Sequence, residues 1–172
     1  MDLKELILQR HSQELTRTAI AVIGNNKKRM AQLISLLIAN EPEVSPRAAW
    51  LASEVARINP GLVMPYASII ASKLNTEFRD AAVTRNVLRL FQFIKIPKTA
   101  HGQLMTICFE FITSPGMAPA IKANALSVLY QLAGTHPEIR QELLFIIQDQ
   151  YENESPAFRS RANRIIKRMN KQ

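Results

Sequence analysis

Apolar residues recur along this chain at intervals of three and four, the spacing that gathers them on one face of an α-helix. Met30, Leu33, Ile34, Leu37 and Ile38 form one such stripe, and Ile69, Ile70 and Leu74 a second. Val87, Leu90, Phe91 and Ile94 form a third, and Leu143, Leu144, Ile146 and Ile147 a fourth. No segment alternates apolar and polar residues with period two, and no Asn-Gly or Asp-Gly hairpin turn occurs. The breaks fall between the stripes: Gly24, Gly61, Gly102, Gly116 and Gly134, with Pro42, Pro60, Pro97, Pro115 and Pro137, mark turns or helix ends. Ser45-Pro46 and Ser155-Pro156 each read as an N-cap serine followed by a proline in the first turn, where its missing N–H has no partner to lose. The pattern predicts an all-α chain of about ten short helices.

These helices repeat. Arg47, Arg85, Lys122 and Arg161 follow one another at intervals of 38, 37 and 39 residues. The residue after each is Ala48, Asn86, Ala123 or Ala162, and the residue eight positions on is Val55, Phe93, Tyr130 or Met169. Pro60, Pro97 and Pro137 recur at 37 and 40 residues, while Arg89 occupies a place that is apolar in the other repeats. A period near 38 made of two helices falls in the range of helical-pair repeats. One pair cannot bury its own apolar face, so neighbours must stack to make a continuous core.

Three segments carry the pattern most clearly: Pro46-Arg47-Ala48-Ala49-Trp50-Leu51-Ala52, the stretch from Arg85 through Ile94, and Phe158-Arg159-Ser160-Arg161. They resemble HEAT repeats, and more narrowly a family of small bacterial HEAT-repeat proteins of unassigned function. The resemblance implies one domain over residues 1–172, a short right-handed α-solenoid of about four helical pairs. The pairs would span roughly 27–58, 61–94, 99–134 and 138–170, behind N-terminal capping helices near 3–10 and 12–23 within residues 1–26. It also implies a curved slab whose second helices line a concave face, a surface suited to binding other macromolecules.

Charge modifies this picture at one end. Twenty-two basic residues against fourteen acidic ones give +8 and a pI near 10.0, a balance that invites a nucleic-acid partner. Residues 155–172 hold Arg159, Arg161, Arg164, Lys167, Arg168 and Lys171 and no acid, so the rest of the chain carries only 16 cations against 14 acids. A smaller cluster, Lys27-Lys28-Arg29, lies near the start. A hydrophobic fraction of 47% with mean hydropathy −0.05 excludes a disordered chain and a membrane protein. No apolar run approaches a membrane span, and Met1-Asp2-Leu3-Lys4-Glu5 does not open a signal peptide, so a cytoplasmic protein is expected. The single Cys108 can form no internal disulfide and cannot hold zinc alone.

The basic ladder of Arg47, Arg85, Lys122 and Arg161 has two readings. It ties adjacent turns together through acids such as Glu41, Glu43 and Asp80, although Lys122 has no acid close upstream, or it forms an anion-attracting row on the concave face. Arg85, Arg89 and Gln92 stand at i, i+4 and i+7 with Lys95 one turn further, an exposed stripe that would suit a carboxylate or phosphate or simply face water. On the last helix Arg161, Arg164, Arg168 and Lys171 form a basic edge, with Lys167 beside it, opposite Ala162, Ile165, Ile166 and Met169. That edge reads either as the polar outer face a terminal repeat needs or as a docking strip.

Catalytic chemistry has little to stand on. His11, His101 and His136 lack metal-ligand spacing, and Cys108 sits in the apolar stripe Thr106-Ile107-Cys108-Phe109-Glu110-Phe111, where a buried, inert thiol is expected. No Gly-rich phosphate loop or Gly-x-Ser-x-Gly elbow occurs. Ser114 through Asn124 faintly resembles the signature loop of adenylosuccinate-lyase-like enzymes, without its paired serines and with the wrong spacing. HEAT-like DNA alkylation-repair glycosylases share the fold and the basic charge, but they use several groove aromatics where this chain offers only Trp50, expected at a packing position. The expectation is a non-catalytic interaction module with no cofactor, metal or small-molecule substrate. It would bind a protein partner through the concave face with Arg85, Arg89, Gln92, Arg47 and Lys122. The alternative is nucleic-acid binding through Arg161, Arg164, Lys167, Arg168 and Lys171.

Overall fold

The computed structural model describes residues 2–9, 12–74, 78 and 80–171. They form α1 (Leu3–Leu8), α2 (Gln13–Ile23), α3 (Lys27–Ile38), α4 (Val44–Ile58), α5 (Pro60–Val63), α6 (Ala67–Lys73) and α7 (Ala81–Phe91). There follow α8 (Lys98–Thr113), α9 (Pro119–Ala133), α10 (Ile139–Gln150) and α11 (Pro156–Met169). Short 3-10 turns at Met64–Tyr66 and Tyr151–Asn153 interrupt the series. No strand occurs among the described residues. The chain divides into two compact units, Met1–Ala100 and His101–Gln172, with the boundary in the first turn of α8.

Helix starts follow local chemistry. Asp80 caps α7 by accepting the N–H groups of Ala82 at 2.7 Å and Val83 at 3.2 Å. Ser155 caps α11 by accepting from Phe158 N–H at 3.1 Å, with Pro156 as the first helical residue. Ser45 differs from that expectation. The turn begins earlier, with Ser45 N–H already bonded to the Glu41 carbonyl at 2.9 Å, and its hydroxyl accepts from Glu41 N–H while donating to the Leu36 carbonyl. Gly102 also departs from its expected place at a helix end, since it lies inside α8. Gly24 closes α2 at φ +49, a left-handed conformation in which a side chain would be strained.

In the first unit α4 is the hub. It packs most extensively on α7 and α3 and also meets α1, α2 and α5. Its Ala48, Ala49, Ala52 and Ala56 are fully buried, small residues that let several helices approach one axis. Ile23, Met30, Leu33, Leu37, Leu88 and Phe91 fill the space around them. In the second unit α9 packs on α11 and α10, and Leu126, Leu129, Leu143, Ile147 and Phe158 are buried. Within each unit, then, the second helix of one pair lies on the second helix of the next. Among the described residues, no helix is long and apolar enough to cross a membrane.

Candidate interaction surfaces

Three of the four ladder residues, Arg47, Lys122 and Arg161, bond to partners within the fold. On α4, Arg47 Nη1 donates to the carbonyls of Ile7, Leu8 and Gln9 at 3.2, 2.9 and 3.1 Å. These close the end of α1, where backbone acceptors have no partner within the helix. Lys122 on α9 pairs with Glu154 Oε1 at 2.5 Å, with the two side chains 6% and 13% exposed. Its acid thus lies 32 residues downstream rather than close upstream. Arg161 on α11 donates to Ser127 Oγ on α9. Burial, and then the neighbouring charge of Arg164, lower its pKa. The acids expected to anchor this ladder have other roles: Glu41 pairs with Lys4 at 2.7 Å, and Asp80 is the α7 cap. Arg85 is exposed on α7.

One turn beyond Arg85, Arg89 does not extend an exposed stripe. Its position is apolar in the other repeats, so its stem turns toward α4, where the guanidinium meets polar groups. Nη2 reaches Glu54 Oε1 at 2.6 Å, and Nη1 reaches Ser53 Oγ at 2.5 Å. The Ser53 hydroxyl in turn donates to the Trp50 carbonyl at 2.7 Å. The guanidinium also lies 4.9 Å from the Trp50 ring centre and 5.2 Å from that of Phe93. Arg57 takes the other oxygen of Glu54, through Nε at 3.2 Å and Nη2 at 3.0 Å. Burial alone would raise the Glu54 carboxyl, but the hydrogen bonds and charges of Arg57 and Arg89 outweigh it and hold the group below its ordinary value. Gln92 is half-buried, and its amide donates to the Leu88 carbonyl at 3.3 Å, while Lys95 is exposed.

Beside this network an open groove of about 850 Å³ runs between α2 and α4. Ile20, Trp50 and Ile58 supply its apolar lining, and Arg17, Arg57 and Glu54 its charge. Ile58 is 56% exposed. Trp50 is therefore a half-buried wall residue rather than the packing residue expected from its alanine neighbours. Two cations and one carboxylate, already held by two guanidiniums, leave the groove net positive.

The basic edge of α11 has a different character. Phe158, Ala162, Ile165 and Met169 are buried, while Arg164, Lys167 and Arg168 on the helix and Lys171 in the turn after it are exposed. Among the described residues none of these four makes an ion pair.

Among the described residues, histidine and cysteine side chains occur in the second unit. His101 Nδ1 and His136 Nε2 lie 2.8 Å apart, and His136 Nδ1 lies 3.2 Å from Glu138 Oε1, a connection across 35 residues that sequence spacing did not disclose. His11 lies outside the described residues. Cys108 is fully buried, which pushes its thiol pKa strongly upward and leaves it a poor nucleophile. Among the described residues no cluster of three or more His, Cys, Asp or Glu side chains is arranged to hold a metal ion.

Comparison with known proteins places this geometry. No curated protein and no solved structure matches the chain. A family profile described as HEAT repeat domain matches residues 3–169, which takes in every helix from α1 to α11. With paired helices stacked second on second and a matching profile over nearly its whole length, the chain belongs to the HEAT repeat family.

Proposed function

We propose that this protein is a non-catalytic interaction module that takes a protein partner on the face built by α4, α7 and the adjoining α2 of its first unit. HEAT repeats generally serve as scaffolds for protein interaction. The observation that carries the finer reading is the α2–α4 groove, with Ile20, Trp50 and Ile58 open to a side chain and Arg17 and Arg57 at its edge. A leucine or phenylalanine of a partner would remove Trp50 and Ile58 from water, while flanking carboxylates would meet guanidiniums with no free acid competing. The fitting partner segment is therefore acidic with an apolar anchor. Arg85 and Gln92 on α7 extend the contact surface beyond Arg89. Arg47 and Arg89 contribute by tying α1 and α7 to α4, which keeps the groove preformed and lowers the ordering cost of binding.

A photocrosslinking residue placed at Ile58 tests this in cells, with Phe145, 68% exposed on α10, as the comparison site. Discrete protein adducts are expected from position 58, and they should disappear when Arg17 and Arg57 are both changed to Glu. Equal labelling from position 145, or adducts that survive the charge reversal, would argue against the groove.

A further inference from the structure

We propose that the exposed edge of α11 is a second binding surface, for the phosphodiester backbone of a nucleic-acid duplex, engaged without regard to base sequence. The inference does not depend on the groove and lies in the other unit. Its first support is a contrast among cations. On the second helices Arg47, Arg89, Lys122 and Arg161 are each spent on an internal oxygen, whereas Arg164, Lys167, Arg168 and Lys171 are exposed, with no ion pair among the described residues. A row of cations that merely needed water would commonly be interspersed with acids on a helix surface, yet residues 155–172 contain none.

The second support is geometric. Arg164, Lys167 and Arg168 stand at i, i+3 and i+4 on the helix, and Lys171 follows in the turn just past its end, where its N–H bonds to the Arg168 carbonyl, so the four cations extend over about 10 Å of chain. Their helix cannot roll, because Phe158, Ala162, Ile165 and Met169 are buried on the opposite side and α11 packs on α9. The exposed Ser160, Asn163 and Asn170 offer only polar neighbours. Among the described residues no exposed aromatic lies on this helix, since Phe158 is buried. A surface for single strands would use aromatic rings on which bases stack. A rigid row of cations without such rings fits phosphates held at regular spacing, and that is the backbone of a duplex.

Fluorescence anisotropy of the full chain with labelled DNA and RNA duplexes of one sequence, about 20 base pairs long, provides the test across a salt series. With four phosphates neutralised, log K should fall against log salt with a slope of about −3.6. Changing Arg168 and Lys171 to Gln should halve that slope and weaken binding on the order of 60-fold at about 0.1 M salt. Changing the exposed pair Lys27 and Lys28 to Gln removes the same net charge and should leave both quantities unaltered. The proposal falls if neither duplex binds at about 50 mM salt, a condition that favours such contacts. It falls equally if the Lys27/Lys28 variant loses as much as the α11 variant, since net charge would then explain the binding. Tighter binding of a polyglutamate of the same length would reassign the edge to an acidic protein and overturn the nucleic-acid reading.

Discussion

Glu54 is gripped by two guanidiniums at once, and that governs how it answers to pH. Its folded carboxyl titrates below the ordinary value of 4.5, so its contribution to stability is complete above that value and is lost as pH falls through the lower folded one. Urea midpoints measured from neutral pH into the acid range should therefore show the wild type losing its advantage over Glu54→Gln as pH falls. A constant gap would mean that other groups carry the acid sensitivity. Lys122→Ala should cost about 3 kcal/mol by denaturant titration, because it strands Glu154 at a site where its side chain is only 13% exposed. Replacing both members with Met and Leu should recover most of that loss. For Arg47, Lys122 and Arg161 a tying role was one of two readings that their periodicity allowed, whereas Arg89 was expected on an exposed stripe. Their partners were not legible, because the fold joins Lys122 to Glu154 and Arg89 to Glu54 across 32 and 35 residues, far beyond the acids that neighbour them in sequence.

Helices themselves were the most legible level, since stripes of period 3.6 record which side must be buried. Ser155 and Ser45 show where that legibility stops. Both precede proline, yet only Ser155 caps a helix. Ser155→Ala should cost about 1 kcal/mol and speed amide exchange in the first turn of α11. Ser45→Ala should instead disturb the α3–α4 connection, where its hydroxyl joins the Leu36 carbonyl to the Glu41 N–H. Nothing in a Ser-Pro dipeptide distinguishes the two; the preceding turn does. The helix expected to begin near residue 61 is likewise broken into α5, a 3-10 turn and α6. Pro65 lies within that turn and has no N–H to continue an α-helical ladder. Trp50 differs from expectation for a related reason: its alanine neighbours Ala48, Ala49, Ala52 and Ala56 are buried, while Trp50 shares the groove side of α4 with Glu54, Arg57 and Ile58.

Across each unit the long-distance side-chain bonds obey one rule. Arg47 to Ile7, Asn59 to Asn25, Ser68 to Thr99, Arg89 to Ser53, His101 to His136, Lys122 to Glu154 and Arg161 to Ser127 span between 31 and 40 residues, roughly one repeat. A chain in which each repeat touches only its neighbours produces this spacing, and stability becomes a sum of local and nearest-neighbour contributions. Leu33→Ala, at a fully buried site, should cost about 2–5 kcal/mol. Its effect on hydrogen exchange should concentrate in α1, α3 and α4, which pack together, and fade beyond one repeat. Equal acceleration in α11 would reveal a single cooperative transition instead. Trp50 carries a practical consequence, because it is the chain's one tryptophan and lies on the groove wall beneath a guanidinium. Its intrinsic ultraviolet emission is therefore a native optical probe of the groove. A partner that dries the indole or displaces Arg89 should change the colour or yield of that light, and an unlabelled chain can report its own occupancy in a cuvette.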